Sequence, residues 1–142
     1  MTNCEAGSQG DSANGAVAIG FLCGGSDNSY VGCIAWTTKG VGFQVEGAKQ
    51  RLVACNAHHS TDSGFKVTGT GNRNIFDGCL SYNNANAGYI IDSVNTVTFN
   101  GCHAFDDVDS FAVTGRPMSY GFQTTNTTGC VFRGCVAFGN NY

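Results

Sequence analysis

A skeleton of six Cys-x-(Ala/Ser) units repeats along the chain, at Cys4, Cys33, Cys55, Cys79, Cys102 and Cys135. The central units are 22, 24 and 23 residues apart. A Gly-aromatic pair follows the first five, at Phe21, Phe43, Phe65, Tyr89 and Phe122. From the second unit onward an apolar residue stands three places before the Cys: Tyr30, Leu52, Phe76, Phe99 and Phe132. A fixed register of this kind means that one small structural unit is stacked on copies of itself, since a single unit cannot bury its apolar face alone.

The local period names the unit. Cys-x-Ala alternates inside and outside, and so do Phe43 with Val45, Phe65 with Val67 and Tyr89 with Ile91. Alternation at period 2 is the mark of a strand with one buried face. Stretches 60–64 and 83–88 carry turn chemistry, and no stretch keeps a helical period. Three short strands per 22–24 residues predict an all-β fold. It is a single-stranded parallel β-helix of about six coils, each adding about 4.8 Å of height. The Leu/Asn pattern of a leucine-rich repeat, which has a similar period, is absent. On this reading the repeated residues point inward and stack coil on coil, and the Gly before each aromatic suits a tight corner.

Composition narrows the class. Of 142 residues, 42% are hydrophobic and only 12% charged, with a net charge of -3 and no basic run. Nucleic acid is therefore an unsuited partner. No apolar stretch reaches the length of a membrane span. The N-terminus lacks the basic start and apolar core of a signal peptide. Residues 1–142 read as a single domain, with the size of a module or fragment of a longer chain.

The pattern resembles the right-handed parallel β-helix of the pectate-lyase-like superfamily, on the strength of GCLSYNNANAGYII and NCEA, and it covers Asn3 to Tyr142. Within that superfamily it is most similar to phage tailspike and tail-fibre domains. The resemblance implies a homotrimer in the virion tail that folds in the host cytoplasm and recognises a bacterial surface polysaccharide. The same coils serve lyases, hydrolases, epimerases and inert shafts, so the motif specifies fold better than activity. A purely structural shaft and a secreted polysaccharide lyase or epimerase are the alternatives. Neither a cofactor nor a metal site is implied.

Eight Cys invite a disulfide reading. Stacked Cys would lie about 4.8 Å apart with parallel side chains, which opposes the near-90° dihedral a disulfide needs. Free buried thiols, acting as small hydrophobes, are the expectation. A fold carrying so many thiols suits a reducing compartment, which favours the phage reading over the secreted enzyme.

Two turns exceed the period, at about 7–18 and 106–120, and both follow the Cys strand. Long insertions on a rigid scaffold are where function concentrates. The second holds Asp106, Asp107, Asp109 and Arg116, with His103 just before it. Paired carboxylates can cleave glycosides, so the three Asp are candidate catalytic residues of a depolymerase, either a hydrolase or a lyase. The alternative is a solvated acidic loop with Asx-turns. His58 and His59 are expected in a turn, facing opposite ways. Three places after each Cys the side chain should point out, giving Trp36, His58, Tyr82, Phe105 and Phe138, beside Ile34, Asn56, Leu80, His103 and Val136. Trp36, His58, Tyr82, His103, Phe105 and Arg116 are the candidate residues for ligand binding or an interface. Sugar rings would stack on the aromatics.

Overall fold

The computed structural model describes residues 1–7, 18–36, 38–69, 72–106 and 118–139. Every regular element among them is a β-strand, and every strand pair is parallel. Numbered in chain order, the first sheet holds β1 (Glu5–Gly7), β4 (Ile34–Trp36), β7 (Asn56–His58), β10 (Leu80–Tyr82), β13 (His103–Phe105) and β16 (Val136–Phe138). The second holds β2 (Ala18–Cys23), β5 (Gly40–Val45), β8 (Phe65–Val67), β11 (Ala87–Asp92) and β14 (Tyr120–Thr125). The third holds β3 (Ser29–Val31), β6 (Arg51–Val53), β9 (Asn74–Asp77), β12 (Val97–Asn100) and β15 (Val131–Arg133). The chain visits the three sheets in turn, so the fold is a parallel β-helix. It has five complete coils, and a sixth is represented by β16 alone.

The repeat sets the register. Ala6, Ala35, Ala57, Ser81, Ala104 and Ala137 align in one column, and Phe21, Phe43, Phe65, Tyr89 and Phe122 in another. The rings of the second column are stacked, with centroids 4.7–4.9 Å apart. A second inner stack runs Phe76, Phe99, Phe132 at 4.7 and 5.1 Å. The two stacks meet edge to face, for instance Tyr89 on Phe99 at 5.5 Å, a geometry that aromatic quadrupoles favour. The core is therefore two ring columns with Cys, Ala and Val filling the narrow spaces between.

The corners are made by single residues. Asn3, Gly32, Ala54, Gly78, Gly101 and Gly134, each directly before a Cys, all have φ between 49° and 61°. One left-handed residue is enough to swing the chain from the third sheet into the first. The Gly before each aromatic has a different role from the corner expected of it. Gly20, Gly42, Gly64 and Gly88 do not have positive φ. They permit close approach instead: a Cβ on Gly42 would stand 2.6 Å from the Gly64 carbonyl oxygen and 3.0 Å from the Ala57 Cβ.

All eight Cys are free, and Cys23, Cys33, Cys55, Cys79 and Cys102 are fully buried. Most thiols donate to carbonyls of the same corner or of the coil below, as Cys79 does to Leu52 O at 3.4 Å. Burial pushes the Cys23 thiol up to about 12, and burial together with the adjacent Cys23 does the same to the Tyr30 phenol. Cys79, hydrogen-bonded to Cys102 and Cys55 and buried, is also raised, and those bonds draw Cys55 and Cys102 down.

This has a consequence for alkaline stability. In the unfolded chain the Cys23 thiol ionises near 9, so there the unfolded state releases a proton that the folded state keeps. The stabilisation is complete below about pH 9 and is lost as pH rises toward 12. Cys55, drawn down to about 7, acts in the opposite sense and adds stability between about pH 7 and 9, so urea midpoints should not fall before pH 9 and should fall steadily above it. A midpoint unchanged between pH 9 and 10.5 would contradict the buried, neutral Cys23 thiol.

Candidate functional site: the outer wall of the first sheet

Strand alternation gives each strand of the first sheet one inward residue and two outward ones. The outward residues form two columns with one member per coil. One reads Glu5, Ile34, Asn56, Leu80, His103, Val136. The other reads Gly7, Trp36, His58, Tyr82, Phe105, Phe138. Glu5 is the only acidic or basic chain among these twelve, histidines aside. Exposure confirms the direction: Trp36 is 37% exposed, Leu80 36% and Phe138 53%. The stripe expected from sequence is thus a continuous wall.

The wall is stiff because its rings stack on one another. His58 lies on Tyr82 at 4.7 Å and 7°, Tyr82 on Phe105 at 5.2 Å, and Phe105 on Phe138 at 5.1 Å. Trp36 folds its indole over Gly7, where even a methyl group would collide with it. This corrects the expectation that sugars stack on each aromatic. Tyr82 and Phe105 have both ring faces occupied by neighbouring rings, and only their edges look outward. Phe138, at the end of the stack, has no ring on its far side among the described residues.

His58 and His59 do not face opposite ways. His59 has φ 56°, and that single left-handed residue cancels the strand alternation. Both rings come to the same side, with Nδ1 atoms 2.8 Å apart. His59 also stands edge-on to Tyr82 at 6.1 Å. Burial, and then the charge of His59, holds His58 below the usual histidine range, so it is neutral at pH 7. The signal for this in the sequence was the next coil, which has Asn83 at the same corner; Asn favours left-handed backbone, and its φ is 54°.

The other candidates separate. His103 sits in the first column, between Leu80 and Val136. Asp107, Asp109 and Arg116 lie outside the described residues. Asp106 is at the root of the second insertion, where its Oδ2 accepts a hydrogen bond from Met118 N at 2.5 Å and ties the two ends of that insertion together. The corner beyond the wall is pinned from within: Thr38 Oγ1 donates to Ser60 Oγ at 2.8 Å, and Ser60 N donates to Asn84 Oδ1 at 2.9 Å. A cavity of about 340 Å³, lined by Phe122, Thr124, Phe132, Cys135 and Ala137, lies at the last coil and shares no residue with the wall. No group of three or more His, Cys, Asp or Glu among the described residues is arranged to hold a metal.

Comparison with known families decides the class. The family described as right handed beta helix region matches residues 13–142. The chain belongs to the right-handed β-helix family. The match covers the second half of the first insertion, the whole of the second, and all but the first strand of this β-helix. Neither the curated proteins nor the solved structures contain a significant match to it.

Proposed function

We propose that this β-helix is a host-recognition module of the tailspike or tail-fibre type, binding a linear bacterial surface polysaccharide along the outer wall of its first sheet. The observation that carries the proposal is the nearly uncharged aromatic column, repeated once per coil on a rigid face. The wall is only one short strand wide and about 24 Å long. That shape is narrow for a stable protein–protein interface, which takes about 800 Å² per partner, and it suits one extended polymer lying along the helix axis. A ligand that itself repeats can meet the same pair of columns at each step.

The contacts are edge-on. Aromatic rims carry partial positive charge and accommodate sugar oxygens. The Tyr82 hydroxyl, the Asn56 amide and the His103 imidazole supply hydrogen bonds between them. Stacking on a ring face belongs to the Phe138 end. Eight free thiols are consistent with folding in a reducing cytoplasm before release. Binding rather than cleavage is the reading favoured by the described residues, because Asp106 serves the base of its insertion. The trimer implied by the resemblance belongs to the same proposal, and a monodisperse monomer by light scattering at micromolar concentration would remove it.

A screen of bacterial surface glycans, with analysis of any products, tests the reading. At least one repeating polysaccharide should bind, and Tyr82→Ala should weaken it tenfold or more while the fold persists. If no glycan binds, the structural-shaft reading replaces this one. The continuous inner and outer ring stacks, which stiffen the helix along its axis, favour that second reading.

A further inference from the structure

His58 and His59 form a pair whose geometry the polysaccharide reading leaves unused. Adjacent residues in a strand point to opposite faces. Here the left-handed His59 brings both imidazoles to one side, and their Nδ1 atoms converge to 2.8 Å. His58 is held flat on Tyr82 and His59 edge-on to the same ring, at 80°. Two nitrogens each about 2.0–2.1 Å from one cation, and at right angles around it, stand about 2.9 Å apart. The pair is thus already spaced as two neighbouring donors of a tetragonal site, and its rings are oriented by packing.

We propose that His58 and His59 bind one divalent first-row cation that favours tetragonal nitrogen coordination, Ni2+ or Cu2+, through their two Nδ1 atoms. In the metal-free pair one Nδ1–H donates to the other Nδ1. Binding moves that ring's proton from Nδ1 to Nε2, so the neutral pair becomes a two-donor clamp with no net loss of protons. Imidazole is a favoured ligand for these ions, and their affinity for nitrogen sites stands high in the first-row series. No third protein ligand is grouped with the pair among the described residues. The other coordination positions are filled by water or by hydroxyls of a ligand on the wall. The inference does not depend on the wall binding a polysaccharide.

Ni2+ is the probe of choice, because Cu2+ would oxidise the free thiols. NiCl2 is titrated by calorimetry into the parent chain at pH 7.5 in a non-coordinating buffer. The variants are His58→Phe, which keeps a ring on Tyr82, and His59→Asn, which tolerates the left-handed backbone; His103→Gln is the control. Circular dichroism confirms that each is folded. The parent and the control should bind one equivalent, and His58→Phe and His59→Asn should each bind at least tenfold more weakly. No one-equivalent site in the parent would overturn the proposal. So would binding that survives either substitution, since that places the ion on the half-buried thiols or the terminal amine.

Discussion

Replacing Phe65 by Ala should destabilise the fold by about 3–5 kcal/mol and lower its thermal midpoint by on the order of 10 °C. Phe65 is fully buried. It is stacked on Phe43 and Tyr89, both at 4.9 Å, and meets Phe76 edge to face at 5.8 Å. Its removal leaves a gap in the middle of a column, bounded by rings that strand pairing holds in place. The backbone cannot close that gap without breaking hydrogen bonds in three sheets, so the cavity term adds to the lost transfer energy. The contrast is with Phe132, which ends the other stack and is 42% exposed. Phe132→Ala should cost clearly less, because one side of that ring already meets solvent. Equal costs at the two positions would contradict the ladder.

The second large effect comes from adding a single carbon. Gly42→Ala should cost about 3 kcal/mol, at the upper end of ordinary overpacking. The new Cβ would meet the Gly64 carbonyl oxygen at 2.6 Å and Ala57 at 3.0 Å. Backbone on one side and a strand-held alanine on the other leave it nowhere to move. Gly78→Ala is the control, since a Cβ there meets nothing within 4 Å. Its φ of 61° makes the cost purely conformational, about 1–2 kcal/mol. Midpoints in urea separate the two mechanisms, and a Gly42→Ala variant as stable as the parent would mean that the coils are not this close.

Much of this was legible because stacking repeats the same requirement in every coil. Six Cys in register fixed the inner columns, and Cys23 paired with Val45 as its place in the repeat required. The two outer columns followed from alternation alone. What the pattern did not carry was the direction of a side chain just past a strand. His59 departs from expectation because one backbone angle, not a periodicity, decides where its ring points. The Gly column misled for a related reason. A Gly can mark a left-handed corner or a close approach, and only the distance to Gly64 O tells which. The ring faces of the wall were also invisible in sequence. Outward aromatics one coil apart can either lie open or stack on one another, and at 4.7–5.2 Å they stack. The acids of the second insertion carried no repeat to constrain them, and of the three only Asp106 is among the described residues.

The outer column is a true column only if Tyr82 and Phe105 are in contact, although they are 23 residues apart in sequence. A double-mutant cycle measures that contact directly. Unfolding free energies are determined for the parent, Tyr82→Ala, Phe105→Ala and the double variant. Rings stacked at 5.2 Å should give a coupling of about 0.5–1.5 kcal/mol. Effects that add to within about 0.3 kcal/mol would show two independent surface residues, and there would be no wall for a ligand to follow.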